Sequence, residues 1–376
     1  MPFILQTNGL TKKIGSKALV TDVNIHIPKG EIYGFLGPNG AGKTTVMKMI
    51  TNLWKPTSGT IEVFGEVLTP KSYEVLKRMG SIIEFPTFYD HMTGRENLQL
   101  HCEYMGYYNV DSVESALQML DLTSAADQPV KNYSLGMKER LGIARAIMCK
   151  PELLILDEPT NHLDMKTLFW LEDYLATFKG AILTVSHDRY FLDKLVSQIY
   201  ELENKKLSVF KGNYSKYKIL KAERTARLLK EYEKQQEERA HMQEYVDKNL
   251  VRASTTKMAQ SRRLALEKME LVEKPSLPPV PPRFTFTYAE KPYERVLEVT
   301  DLKLTAGENV LLNGASFGLT RGEKCAVIGD NGTGKSTLVK ELVRGKNPAI
   351  KLGRFVKIAC YDQENANLSP DERVLD

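Results

Sequence analysis

The chain of 376 residues reads as an α/β protein built on a mostly parallel sheet, followed by a helical hairpin and a partial repeat of its own beginning. Three observations predict this. Up to about residue 203, short apolar runs such as "EIYGFLG", "LLILDEP" and "AILTVSH" alternate with helical patterns, the order that a sheet wrapped by helices requires. From about 213 to 273 Gly and Pro vanish and Glu, Lys, Gln, Arg, Ala and Leu dominate, which predicts two long helices joined by a basic turn near "KNLVRASTTKMAQSRR". After "KPSLPPVPP", the runs "VLEVTDLKL", "GEKCAVIGDNGTGKSTLVKEL" and "FVKIACYDQE" repeat the opening of the first segment.

The expected domains are therefore 1–205, 206–283 and 284–376. Proline lacks an N–H and restricts the residue before it, so the Pro-rich stretch ends the helical segment as a linker. The repeat covers only the first part of the earlier domain, since no second "LDEP" or "SHD" occurs in it. No run of 18 or so uncharged apolar residues is present, and the four cysteines have neither C-x-x-C nor zinc-like spacing. The expectation is a soluble, cytoplasmic chain with reduced thiols. The net charge of +5 is local: residues 211–274 hold 16 Lys/Arg against 10 Asp/Glu, an excess larger than that of the whole chain.

The chemistry is carried by phosphate motifs. "GPNGAGKTT" (Gly37, Pro38, Asn39, Gly40, Ala41, Gly42, Lys43, Thr44, Thr45) lies between an apolar strand and a helical run, the setting a P-loop needs. Its glycines let backbone N–H groups turn around phosphate oxygens, and the helix N-terminus adds partial positive charge. Lys43 is expected on the β- and γ-phosphates of ATP and Thr44 on Mg²⁺. "GDNGTGKST" repeats the design, with Gly329, Asn331, Gly332, Gly334, Lys335, Ser336 and Thr337 as nucleotide contacts and Ser336 as a second Mg²⁺ ligand. At the end of "LLILD", Asp157 is placed for the metal's water shell and Glu158 for activating water. His187 in "TVSHD" follows another apolar strand and is expected near the γ-phosphate. Ser134 in "YSLGMKERLGIARAI" suits a helix N-cap, and with the Gly136 N–H it can also clamp a γ-phosphate offered by another subunit.

On these motifs the whole chain resembles the ATP-binding-cassette (ABC) ATPases, with "SLGMK" where the family usually has a Ser-Gly-Gly core. Residues 1 to about 160 resemble ATPase subunits of bacitracin- and lantibiotic-type exporters, in which, as with Glu84 here, a glutamate stands at the usual Q-loop glutamine. From about 161, "NHLD", "TVSHDRYFLD", "FKGNYSKY" and "VRASTTKMAQSRR" resemble the F-type ABC proteins, soluble tandem cassettes that act on ribosomes. The sequence reads as a mosaic joined inside "LLILDEPTN". The resemblance implies a P-loop NTPase cassette, a hairpin linker and a partial second cassette whose Q-loop residue is Gln363. Ile14 and Ala306 stand near the positions where the family places an aromatic under adenine, so weak base stacking is expected.

Residues 248–263 carry Lys248, Arg252, Lys257, Arg262 and Arg263 with no acid among them. Charge runs are often solvated helical faces. The resemblance implies instead a hairpin reaching towards ribosome-bound tRNA, with phosphate neutralisation as the reason for a basic tip. The alternative partner is a membrane permease, the chain acting as an antibiotic-exporter ATPase. In this family the P-loop of one cassette pairs with the signature of another, so a homodimer through the first cassettes is also expected.

Overall fold

The structure is a computed structural model that describes residues 3–107, 109–249, 256–272, 274–275, 283, 290–306, 309–330 and 333–360. The chain divides into two compact units, the larger within residues 1–282 and the smaller built mainly on 283–376.

The larger unit opens on β1 (Phe3–Ile14), which pairs antiparallel with β2 (Lys17–Val23) and with β3 (His26–Pro28). The apolar run "IYGFL" is β4 (Ile32–Leu36), followed by helix α1 (Lys43–Ile50). Strands β5 (Ser58–Val63) and β6 (Glu66–Val67) extend the antiparallel sheet in the order β2-β1-β5-β6. Then come α2 (Tyr73–Lys77), β7 (Met79–Ile82), α3 (Gly94–Met105), α4 (Val110–Met119) and α5 (Leu135–Ile147). Thr93 and Glu96 close a reciprocal capping box at the start of α3, which satisfies two of the helix's orphan N–H groups.

The second sheet takes its remaining strands from β8 (Leu153–Asp157), β9 (Ala181–Val185), β10 (Gln198–Glu203) and β11 (Lys206–Lys211), separated by α6 (Met165–Ala176) and α7 (Arg189–Leu195). Its order is β11-β10-β4-β9-β8-β7. All neighbours are parallel except β11, which returns antiparallel along β10. Every residue of β8 and β9 is buried, as continuous apolar runs in a covered parallel sheet should be. The sheet continues to Lys211, so a domain boundary at 205 falls inside the β10–β11 hairpin.

Two helices follow: α8 (Tyr214–Asn249), of 36 residues, and α9 (Thr256–Lys268). At 1.5 Å per residue α8 spans about 54 Å. Among the described residues of the pair, the buried apolar side chains are Tyr217, which packs against Phe210 of the cassette, and Val246 and Ala259, so the apolar seam between the helices is thin. Gln235 adds a polar tie, donating to Glu270 O at 2.7 Å and accepting from Val272 N at 2.8 Å. Most of the Pro-rich stretch lies outside the described residues.

The smaller unit holds β12 (Arg295–Ala306), β13 (Asn309–Thr320), α10 (Lys335–Arg344) and β14 (Ile350–Leu352), with sheet order β13-β12-β14 around Leu297, Val299, Leu302, Leu304, Leu338 and Ile350. One sequence expectation fails here. "KCAVIGD" repeats the run that forms β4, yet residues 324–330 form no strand, and Ile328 is 80% exposed. The physical reason lies in the first cassette, where β4 is held between β9 and β10, both drawn from residues well over 100 positions downstream. Among the described residues the smaller unit has no counterpart of either, and an apolar strand without neighbours has no ladder to join.

Candidate active site

The carboxyl ends of β4, β9 and β8 lie side by side, the position at which parallel α/β sheets place their ligands. From β4 the chain enters the loop 37–45. Its glycines are dictated by space as well as by backbone angle. Gly42 (φ 105°) caps α1, and a Cβ there would come within 2.3 Å of Val20 Cγ1. A Cβ on Gly37 would come equally close to Leu202 O, at 2.3 Å. The Ala41 N–H donates to Pro38 O at 3.1 Å, closing the turn. The Lys43 ammonium crosses back over the loop and donates to Gly37 O at 2.7 Å and Pro38 O at 3.2 Å. Burial pushes its pKa down, while Glu158 and Asp157 pull it back up.

Thr44, the second residue of α1, donates its hydroxyl to Asp157 Oδ2 at 2.9 Å, although 113 positions separate the two in the chain. Burial raises the Asp157 pKa, with the Thr44 hydrogen bond and Lys43 opposing it. Glu158 sits just past β8 at φ 52°, its N–H bonded to Val185 O of β9 at 2.9 Å. A non-glycine residue at positive φ stores strain, and such strain concentrates at functional sites. The His187 N–H donates to Glu158 Oε2 at 3.1 Å, and His187 Nε2 stands 3.2 Å from Oε1. Oε1 itself is buried with no hydrogen-bond partner of good geometry. Burial raises the Glu158 pKa above the ordinary carboxylate range, opposed by the His187 N–H.

These groups surround a cavity of about 460 Å³. From the residues expected on sequence it is lined by Asn39, Gly40, Gly42, Lys43, Thr44, Thr45, Glu84, Asp157, Glu158 and His187. Ser134 and Gly136 are not among the lining residues; Ser134 precedes the first residue of α5. Ile14, at the end of β1, is 57% exposed and also outside the lining, where Leu19 and Phe85 supply apolar surface.

Sequence reasoning missed Asn161 and, above all, Glu139. Glu139 is 6% exposed, and burial pushes its carboxyl up to about 7. The signal was present: it lies three residues after Gly136 and four before Ile143, on the inward stripe of α5.

The second loop repeats the lysine geometry. Gly334 (φ 91°) caps α10, and Lys335 Nζ donates to Gly329 O at 2.7 Å and Asp330 O at 2.6 Å. Ser336 and Thr337 start α10, while Asn331, Gly332 and Gln363 lie outside the described residues. Around 248–263 the absence of acids does not leave Lys248, Arg262 and Arg263 unpaired, because their partners sit about one turn outside the window. Lys248 pairs with Glu244, Arg263 with Glu267 at 3.1 Å, and the Arg262 guanidinium stacks 3.8 Å from the Tyr245 ring centroid. Lys257 is exposed on α9, and Arg252 lies outside the described residues.

No helix among the described residues is long and apolar enough to cross a membrane. Family profiles described as ABC transporter match residues 20–161 and 312–363, and a second profile of the same description matches 200–286. The putative ATP-binding protein YdiF of Bacillus subtilis is 38% identical over 99% of this chain and 64% of its own length. The probable ATP-binding protein YheS of Escherichia coli K12 is 31% identical over 93% of this chain and 58% of its own. The bacitracin transport ATP-binding protein BcrA of Bacillus licheniformis is 43% identical over 55% of this chain and 69% of its own. YdiF and YheS are thus spanned over about three fifths of their length. A solved ATP-binding subunit of an ABC transporter superposes with a TM-score of 0.53 at 25% identity, covering 55% of this chain and 90% of that one. The chain belongs to the ABC transporter family, as an ATP-binding protein with the P-loop fold of the ABC ATPase cassettes.

Proposed function

We propose that the first cassette binds and hydrolyses Mg-ATP in the 460 Å³ cavity, and that the hairpin of α8 and α9 directs this ATPase to structured RNA on the ribosome. The residues present fit the nucleotide and its metal. Loop 37–45 has a backbone that only glycines allow at two positions, and Glu158 offers a buried oxygen that makes no hydrogen bond. Among the described residues no group of three His, Cys, Asp or Glu could hold a metal alone. That suits Mg²⁺, which takes one or two protein oxygens and completes its shell with phosphate and water. Thr44 and Asp157 would hold it, and when bound it neutralises phosphate charge. Lys43 holds the phosphates, and Glu158 takes a proton from water at Oε1 while His187 keeps the carboxylate oriented. Burial of Glu158 makes it the stronger base. Completion of the site by Ser134 and Gly136 of another cassette, here a second copy of the chain, belongs to the same reading.

The observation that carries the ribosomal reading is how α8 joins the cassette. Glu201 of β10 is buried and receives both the Tyr217 hydroxyl and the Lys221 ammonium of α8. Glu201 is in register with Leu36, the residue before Gly37, and Gly37 packs on Leu202. The hairpin is therefore rooted on the strand against which the P-loop rests, so loop movement on nucleotide binding has a short route to a lever about 54 Å long. An exporter subunit needs no such lever, and the resemblance of residues beyond 161 to F-type ABC proteins supports the same reading. Glu84 and the similarity to BcrA favour the second reading, an ATPase subunit docked on a permease. A pull-down with tagged chain decides between them: co-purifying ribosomes support the first reading, and recovery with membranes alone replaces it by the second.

A further inference from the structure

Lys48 belongs to none of the nucleotide motifs, yet it stands at their edge. It lies on α1 four residues after Thr44, so the two side chains share a helix face one turn apart. Its ammonium donates to Glu84 Oε1 at 2.7 Å, and it lies 5.2 Å from the centroid of the Trp54 ring. Only 20% of the Lys48 side chain is exposed, against 57% of Glu84. The lysine is thus the fixed member of the pair. Glu84 is held at φ 57°, a backbone angle rare for a side-chain-bearing residue, and lines the same cavity as Thr44, Asp157 and Glu158. The charges of Glu84 and Lys48 act on Asp157 in opposite directions.

We propose that Lys48 is a positioning residue of the nucleotide site: it fixes Glu84 at the cavity wall and cancels the negative charge that an acid brings beside a polyanionic nucleotide. A glutamine here would carry no charge to cancel. The described lining of the cavity presents four acids, Glu84, Glu139, Asp157 and Glu158, against one lysine or arginine, Lys43; burial pushes the Glu139 carboxyl up to about 7, so the carboxylate charge facing the nucleotide comes chiefly from the other three. Without Lys48, Mg-ATP, itself an anion, would meet an uncompensated carboxylate. The inference rests on the reading of this cavity as an Mg-ATP site.

The test is binding of Mg-ATP to the full chain, by calorimetry, for the parent, Lys48→Met, Lys48→Arg, Glu84→Gln and the double variant Lys48→Met/Glu84→Gln, with Lys43→Ala as the blank. Lys48→Met should weaken binding roughly threefold to tenfold, the effect of one charge near a partly solvated site, and Lys48→Arg should recover most of it. The discriminating comparison is the double variant with Glu84→Gln alone. If Lys48 acts through the charge of Glu84, the two should agree to within about twofold. If Lys48 only packs on Trp54, the double variant stays as far below Glu84→Gln as Lys48→Met is below the parent, and the proposal falls. Equal affinity of parent and Lys48→Met overturns it too. A parent that binds no better than Lys43→Ala removes the Mg-ATP reading itself, a result distinct from the additive cycle.

Discussion

Replacing Glu139 by Gln should stabilise the chain at and above neutral pH and leave its stability nearly unchanged at acid pH. In the fold the carboxyl is pushed up to about 7 by burial, from an ordinary value of 4.5. Between these values the folded chain keeps a proton that the unfolded chain releases, so stability is fully present below 4.5 and is lost as pH rises through about 7. At 1.36 kcal/mol per pH unit the gap corresponds to about 3 kcal/mol. Because one side of Glu139 faces an open cavity, where water screens the charge, about 2 kcal/mol is the working figure. Glutamine keeps the shape and polarity of the protonated acid but never ionises. Urea unfolding followed by far-UV circular dichroism, at about pH 5 and about pH 8, should show parent and variant close together in acid and about 2 kcal/mol apart in base, the variant the more stable. Profiles that run parallel across this range would refute the reasoning, since the carboxyl would then ionise as freely in the fold as in the unfolded chain.

Lys43→Ala should abolish measurable Mg-ATP binding, whereas Glu158→Gln should retain binding and lose hydrolysis by about 100-fold or more, the usual scale for a general base; turnover of Glu158→Gln at the parent rate would exclude Glu158 as the base. If two chains must pair to complete a site, specific activity should fall on dilution, and activity independent of concentration would exclude the pairing. Changing Arg252, Lys257, Arg262 and Arg263 to Gln should reduce ribosome co-sedimentation and flatten its salt dependence, with a parent slope of log affinity against log salt no steeper than roughly −3 to −5 at about 0.7–0.9 per phosphate contact. Equal sedimentation of parent and variant, or a parent insensitive to salt, would remove the hairpin as an RNA-binding element.

The sequence was most legible where one local pattern carries both fold and chemistry. In "GPNGAGKTT" the glycines, the lysine and the helix start are adjacent in the chain, and the space around Gly37 and Gly42 enforces the same reading. Runs such as "LLILD" and "AILTV" announce buried parallel strands because both their faces are apolar. Legibility fails where the deciding partner is remote. The pairing of "IYGFL" needs β9 and β10, so an equally apolar "CAVIG" cannot be read as a strand without knowing whether such neighbours exist. Lys48 and Glu84 are 36 positions apart and meet only because α1 and the end of β7 flank one cavity.

Charge misleads in the same way, but over a shorter range. A window of 248–263 counts cations and misses Glu244 and Glu267, each one helical turn outside it. Such i,i+4 pairs on an exposed helix are worth only about 0.3–0.5 kcal/mol, less than a cation gains from a dense row of phosphates with its release of counterions. Lys248 and Arg263 can therefore exchange their carboxylates for phosphates at small cost. Arg262 differs, because its guanidinium is stacked on Tyr245 of the facing helix: its loss would loosen the hairpin as well as remove a charge. A variant changing Arg262 alone should consequently lower the thermal stability of the α8–α9 pair, whereas Lys257→Gln should not. If both single variants weaken ribosome binding equally while only Arg262→Gln melts earlier, the binding defect belongs to the charge and not to the fold of the hairpin.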